Sequence, residues 1–175
     1  MRPFLQEDAE SMYAYWISDP LVQEDYGEPA YRSIAEVNAL LEKWMASYER
    51  ADFYRWAIVL KDSGDCIGQI AFCSVDTAHR YADLEYCIDA ASQNQGYAAE
   101  ALEAVIHYTF THTGIHRLQA FHRGRNASSG RVLRKSSMKY EGTLRQSFYY
   151  ADSGEYDDRI YYGITKGEYS GDLHR

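Results

Sequence analysis

Six residues in mid-chain, Gln93-Asn94-Gln95-Gly96-Tyr97-Ala98, run directly into the amphipathic segment Ala99-Glu100-Ala101-Leu102-Glu103-Ala104-Val105-Ile106. The first amides of a helix have no internal partners and sit at the positive end of its dipole, so a phosphate placed there is held by backbone alone. Gly96 supplies unrestricted dihedrals without a Cβ, and Ala98 is nearly as small, so a bulky ligand can approach the main chain closely. The stretch therefore reads as an anion cradle at a helix start. Neither a G-x-x-x-x-G-K-[ST] loop nor a G-x-G-x-x-G fingerprint occurs in the chain, which argues against a nucleoside triphosphatase or a dinucleotide fold. Another phosphorylated cofactor is implied. Upstream, Asp83 and Glu85 are two residues apart in a β-type run and share one face of a strand. Downstream, Asn126 and Ser129 have the spacing of a helix N-cap and the third helical position. Arg123, Arg125, Arg131, Arg134 and Lys135 crowd into thirteen residues of an otherwise acidic chain, for which a solvated basic face is the default.

The elements that must position these groups follow from hydrophobic period. Gln6 to Ile17 reads as a first helix with Met12, Tyr13 and Trp16 on one face and Ser18-Asp19-Pro20 as its stop. Ser33-Ile34-Ala35-Glu36 is a capping box that starts a second helix, with an apolar stripe of Leu40, Leu41, Trp44 and Met45, reaching about Glu49. From Phe53 the period shifts toward two. Tyr54 to Leu60, the turn Lys61 to Asp65 and the run Cys66 to Val75 predict a hairpin. Ala82 to Ile88 continues the sheet, Tyr97 to Thr111 is a helix with Gly114 after it, and Arg117 to His122 is a strand. Together these three form a parallel crossover unit. A short helix after Asn126 precedes two last strands, about Thr143 to Tyr150 and Asp158 to Ile164.

Composition narrows the class. A chain of 175 residues suits one domain, 1–175, with a substantial core. No apolar run approaches the roughly 20 residues of a spanning helix, and the start Met1-Arg2-Pro3-Phe4 has no leader pattern, so no membrane association and a cytoplasmic location are expected. Cys66, Cys73 and Cys87 are an odd number without C-x-x-C spacing, and are expected to be buried free thiols. The six histidines form no metal set and are read mostly as surface groups, so no metal is expected. A net charge of −8 and a pI near 5.2 oppose general nucleic-acid binding and favour cationic partners. Seventeen tyrosines, concentrated in the final strands, are explained mainly by cross-strand packing. A minority could line an acceptor cleft with Tyr31 or Trp16, where aromatic faces attract a cation.

The hexad resembles the [QR]-x-x-G-x-[GA] signature of the GNAT superfamily of acetyl-CoA-dependent N-acetyltransferases, with Gln93, Gly96 and Ala98 at the signature positions. Its surroundings are similar too: Ala82 to Ile88 lies where these enzymes carry their fourth strand, and Asn126-Ala127-Ser128-Ser129 follows the Leu118 to His122 run. The N-x-x-S and the ending from Lys139 to Arg145 look like the ribosomal-protein-alanine N-acetyltransferase (RimJ/RimL) branch, and the similarity runs from Arg2 to Glu168. The resemblance implies an α+β GNAT (acyl-CoA N-acyltransferase) fold: a mixed, mostly antiparallel twisted sheet with flanking helices and a splayed parallel pair at the cofactor cleft. It implies acetyl-CoA as co-substrate and direct attack by a primary amine, a protein N-terminal amine in this branch. Polyamines or amino sugars are the small-molecule alternative, and a non-catalytic acyl-CoA-binding regulator is a third. A homodimer is left open.

By the same resemblance, the pantetheine arm inserts between Leu84 to Ile88 and Leu118 to His122 and bonds backbone there, which brings in Cys87 and Ile88. The phosphates fall to Gln93, Asn94, Gln95, Gly96, Tyr97, Ala98 and Ala99. Asn126 and Ser129 contact the cofactor, Ser129 as candidate acid for the sulfur, and Arg131 or Lys135 are candidates for the 3′-phosphate. The base is Asp83, at a position where the family often has glutamate, or Glu85, where the branch commonly has glycine. Leu133 stands where many relatives use a tyrosine acid. Ser137 replaces a helix-ending glycine and disfavours a left-handed cap. Relatives usually begin several residues before the match to Arg2-Pro3-Phe4, so the chain is expected to start within the first strand.

Overall fold

One buried carboxylate ties down the N-terminal segment. Arg2 donates to Asp8 through both terminal guanidinium nitrogens at 2.8 and 2.7 Å, and Asp8 Oδ2 also accepts from the Leu5 amide at 2.8 Å. Asp8 is 2% exposed and persists there because donors occupy its oxygens. The structure, a computed structural model, describes residues 1–26, 28–151 and 153–169, with the side chain of Asp25 left out. A 3-10 turn, Gln6–Asp8, leads into α1, Ala9–Tyr15. Pro20, expected as a stop, opens α2, Pro20–Tyr26. Its missing N–H costs nothing in a first turn, and Asp19 Oδ1 accepts from the Leu21 amide at 2.9 Å.

Ser33 caps α3, Ile34–Ser47, its hydroxyl accepting from the Glu36 amide at 3.3 Å. The returning bond of the expected box goes one residue further back, from the Arg32 amide to Glu36 Oε2 at 2.8 Å. Val37 and Leu41 are fully buried and Leu40 and Trp44 pack beside them, whereas Met45 is 39% exposed. Met45 lies about 100° past Trp44 on the helix, off the stripe set by residues 37, 41 and 44.

The strands are β1 (Arg55–Val59), β2 (Cys66–Asp76), β3 (Tyr81–Ile88), β4 (Arg117–Arg123), β5 (Lys139–Tyr150) and β6 (Glu155–Thr165). Helices α4 (Tyr97–His112) and α5 (Ala127–Lys135) complete the element order. One six-stranded sheet runs β1-β2-β3-β4-β6-β5. The predicted hairpin is present, with β1 antiparallel to β2 from Arg55 opposite Ala71 to Val59 opposite Cys66. The start of the chain contributes an isolated antiparallel bridge, Arg2 to Ala57. β3 and β4 form the parallel pair, with α4 between them in sequence, and their ladder covers Tyr81–Arg117, Ala82–Leu118 and Asp83–Gln119. β6 pairs antiparallel with both β4 and β5.

The chain forms two compact units, Met1–Val75 with Glu85–Ala101, and Asp76–Leu84 with the segment from Leu102 onward. The first is centred on Phe4, Met12, Trp16, Val37 and Leu41. Trp16 is fully buried and its indole N–H donates to Cys66 O at 3.2 Å, so it is a core residue and not part of a cleft. The second buries Ile106, Leu118, Leu133 and Ile164. Tyrosines do pack across strands: Tyr149 opposite Tyr156 at 5.0 Å and Tyr140 opposite Tyr162 at 5.9 Å between ring centres.

Two of the thiols meet the expectation of burial and one does not. Cys66 and Cys87 are buried, and burial pushes the Cys66 thiol up to about 12 and also raises Cys87. Cys73 is exposed, because the covered part of β2 ends at Phe72. His122 likewise departs from the surface reading: it is buried, with Nδ1 2.9 Å from Arg123 O. No described helix is long and apolar enough to cross a membrane.

Candidate active site

The α4 start is built by local backbone geometry. Asp89 caps a 3-10 turn, Ala90–Ser92, accepting from the amides of Ala91 and Ser92 at 3.0 and 3.1 Å and from the Ser92 hydroxyl at 2.6 Å. The chain then passes through two residues of positive φ, Asn94 at 62° and Gly96 at 95°. Glu100 N bonds Gly96 O at 3.0 Å as α4 begins. The amides of Tyr97, Ala98 and Ala99 therefore lie ahead of the intrahelical ladder, at the positive end of a 16-residue helix. A Cβ at Gly96 would meet nothing within 4 Å, so the position is open. Such a set of amides fits a diphosphate. Gln93 and Gln95 serve the loop itself: their side-chain amides donate to Ile88 O at 3.4 Å and Ala91 O at 2.9 Å. Cys87 and Ile88 are buried, and a Cβ at Gly68 would come within 2.2 Å of Cys87 O, so this strand end offers main chain rather than side chains. The sequence reading missed Asp89 and Gly68; the Asp-x-x-Ser spacing was a usable signal for the first.

Asp83 and Glu85 occupy the half-buried face of β3, alternating with the buried Ala82 and Leu84. Their partners differ. Gln119 Nε2 donates to Asp83 Oδ1 at 2.6 Å within the second unit. Glu85 belongs to the first unit, where its Oε1 accepts from the Tyr26 hydroxyl and pairs with Arg55 Nη2 at 3.1 Å. Burial raises the Tyr26 phenol far above its ordinary range, so it stays a donor. Arg55 is opposed by burial, yet Tyr26 and Glu85 more than offset this and keep it a cation. Burial and the Glu85 charge also hold the Glu28 carboxyl above its usual range.

The start of α5 carries Asn126 and Ser129 as expected by spacing. Asn126 Oδ1 accepts from the Ser129 amide and the Ser128 hydroxyl, both at 2.9 Å. Leu133 is fully buried and is a core residue. Gly130 is needed for packing, since a Cβ there would lie 2.8 Å from the His122 ring. Of the five clustered cations, two serve the fold: Arg123 is buried with its guanidinium 4.8 Å from the Phe148 ring centre, and Arg125 stands 3.5 Å over Tyr150 and pairs with Glu155 at 3.0 Å. Arg131, Arg134 and Lys135 are on the exposed side of α5. The helix ends without a left-handed residue: Ser136 is extended, and Ser137 donates its amide and, at 2.7 Å, its hydroxyl to Glu103. Among the described residues no group of three His, Cys, Asp or Glu side chains forms a metal set.

Comparison with known proteins agrees with this architecture. Residues 1–139 match the family model described as "Acetyltransferase (GNAT) domain". An uncharacterized N-acetyltransferase of Bacillus subtilis, YoaA, is 30% identical over 161 residues, covering 92% of this chain and 90% of that protein. The chain belongs to the GNAT acetyltransferase family, whose members use acetyl-CoA. Two solved structures show the shared fold. A RimL ribosomal L7/L12 alpha-N-protein acetyltransferase in complex with coenzyme A superposes with TM-score 0.82 at 20% identity, over 94% of this chain and 92% of that one. A spermidine N-acetyltransferase, SpeG, from Vibrio cholerae gives 0.72 at 19% identity, over 97% and 96%.

Proposed function

We propose that this protein transfers the acetyl group of acetyl-CoA to a primary amine by direct attack, with a protein N-terminal amine as acceptor, as in the RimJ/RimL branch. The observation that carries the reading is the α4 start, where two residues of positive φ precede three helix-initial amides without intrahelical partners. When bound, acetyl-CoA supplies a thioester at the acyl carbon. The chain's own residues then do the rest. The amides of Tyr97, Ala98 and Ala99, with the loop from Gln93 to Gly96, hold the phosphates, and the backbone of Cys87 and Ile88 takes the pantetheine arm. Arg131 or Lys135 meets the 3′-phosphate. Asp83, fixed by Gln119, accepts the proton that the amine loses, directly or through water. Asn126 holds the start of α5, and Ser129 donates a hydrogen bond toward the departing thiolate.

Ser129→Ala isolates the last role. Asn126 caps through the Ser129 amide, which alanine retains, so the helix start survives the change. Thiol release should slow while acetyl-CoA affinity stays within about threefold, the pattern of a group acting mainly on the transition state. Normal turnover with a lowered Tm would assign the hydroxyl to structure alone.

A small cationic amine is the second reading, favoured by the net charge of −8. The deciding experiment offers acetyl-CoA with peptides of varied N-termini, polyamines and amino sugars, and follows thiol release. Turnover with peptides supports the first reading; turnover confined to polyamines or amino sugars supports the second. Acetyl-CoA binding without thiol release from any amine would make the protein a regulator. In either enzymatic reading basic acceptors should outperform acidic ones. Their advantage in kcat/KM should shrink as salt shortens the screening length to about 10 Å at 0.1 M, because steering acts on encounter. An advantage for acidic acceptors at low salt would refute this.

A further inference from the structure

We propose that Arg55 is a positioning residue for the acceptor amine: it clamps one oxygen of Glu85 and so presents the other to an amine N–H. This rests on the acetyl-transfer reading and assigns Glu85 to acceptor binding, beside Asp83 as base.

The geometry is a four-way clamp. Arg55 is the first residue of β1, and its side chain is only 12% exposed. Its Nη2 reaches Glu85 Oε1 at 3.1 Å, and its Nη1 reaches both Tyr26 Oη at 3.3 Å and Gln69 Oε1. The guanidinium carbon lies 4.4 Å from the Trp44 ring centre. Gln69 is itself 2% exposed, so the cation is held by a rigid neighbour. Tyr26 donates to the same Glu85 oxygen, which gives Oε1 two donors from the protein. Oε2 accepts from none of the described residues, and the Glu85 side chain remains 25% exposed.

A purely structural pair would be expected to satisfy both oxygens. Burying an arginine–carboxylate pair gains little stability over an apolar substitute, while it fixes orientation well, because the planar fork engages several acceptors at once. The local charge points to a cationic guest: burial and then the Glu85 charge raise the Glu28 carboxyl, so two acidic side chains face the single guanidinium of Arg55. An ammonium group balances the set, and after proton loss the amine still has N–H bonds to donate to Oε2. Lysine at position 55 keeps the charge and loses the fork, which makes Arg55→Lys the informative change.

The test is steady-state kinetics on Arg55→Lys, Tyr26→Phe, Glu85→Gln and the double variant Arg55→Lys/Glu85→Gln, with acetyl-CoA affinity from calorimetry and folding from circular dichroism. Tyr26→Phe removes only a hydroxyl and keeps the question open to measurement if Arg55→Lys fails to fold. The amine KM should rise about tenfold in Arg55→Lys and by a smaller factor in Tyr26→Phe, with acetyl-CoA affinity within about twofold of wild type. The double variant should be no worse than Glu85→Gln alone, since the clamp has no task once its carboxylate is gone. An unchanged amine KM in the folded single variants overturns the role, as do losses that simply multiply in the double variant. A wild-type protein that binds acetyl-CoA and releases no thiol with any amine overturns the transfer reading and this role together. Turnover by wild type with an unaffected amine KM in the variants overturns this role alone.

Discussion

Gly96→Val is expected to remove most of the affinity for acetyl-CoA while the protein stays folded. At φ 95° the backbone lies where a β-branched residue is strained, so valine forces the loop into another conformation. The cost is conformational, because the added Cβ meets no atom within 4 Å. Relaxation of this exposed loop re-aims the amides ahead of α4, and a diphosphate held by those amides loses its partners together. Each charge-assisted bond is worth about 1.5–3 kcal/mol, so losing one weakens binding by about tenfold to a hundredfold, and losing two by up to about ten-thousandfold. Calorimetry with acetyl-CoA measures it. Wild-type affinity in a folded Gly96→Val protein would put the phosphates elsewhere.

The second large effect concerns the proton. Asp83→Asn keeps the size of the side chain and an oxygen that can accept from Gln119, but asparagine takes up no proton from an amine. The loss in kcat/KM should reach about a hundredfold at neutral pH, the lower end of what a positioned base contributes. The sign with pH is definite: alkaline solution deprotonates the amine without help, so variant and wild type should converge as pH rises toward the amine's own pKa. Glu85→Gln should behave differently, raising the amine KM across the whole pH range. A deficit in Asp83→Asn that is constant with pH would remove it as base.

The parts of this protein legible in its sequence are those set by neighbours in the chain. The α4 start depends on Gly96 and the residues beside it, and the α5 start on Asn126 with Ser129. Both could be read as spacing. The hairpin and the crossover likewise follow from local period and turn residues. The Arg55 clamp could not be read, because Tyr26, Arg55, Gln69 and Glu85 come from three strands and a helix, and no spacing connects them. Its helix was itself missed, since Pro20 signals a stop and a start equally well and only the Asp19 cap decides. Arg123 and Arg125 show the reverse error. As a run they read by default as a solvated basic face, yet aromatic rings and carboxylates brought from β5 and β6 absorb them.

The exit from α5 carries a consequence for how such a chain can change over time. A glycine at position 137 would end the helix by its own dihedral freedom, needing nothing from elsewhere. Here Ser137 depends on Glu103, 34 residues earlier on α4. The two positions are therefore coupled: with Glu103 present the serine is accommodated, and while the serine stands there a change at Glu103 loosens the turn. The dependence runs one way: loss of Glu103, harmless beside a glycine, loosens the turn beside Ser137, whereas Ser137→Gly alone leaves the turn able to close without Glu103.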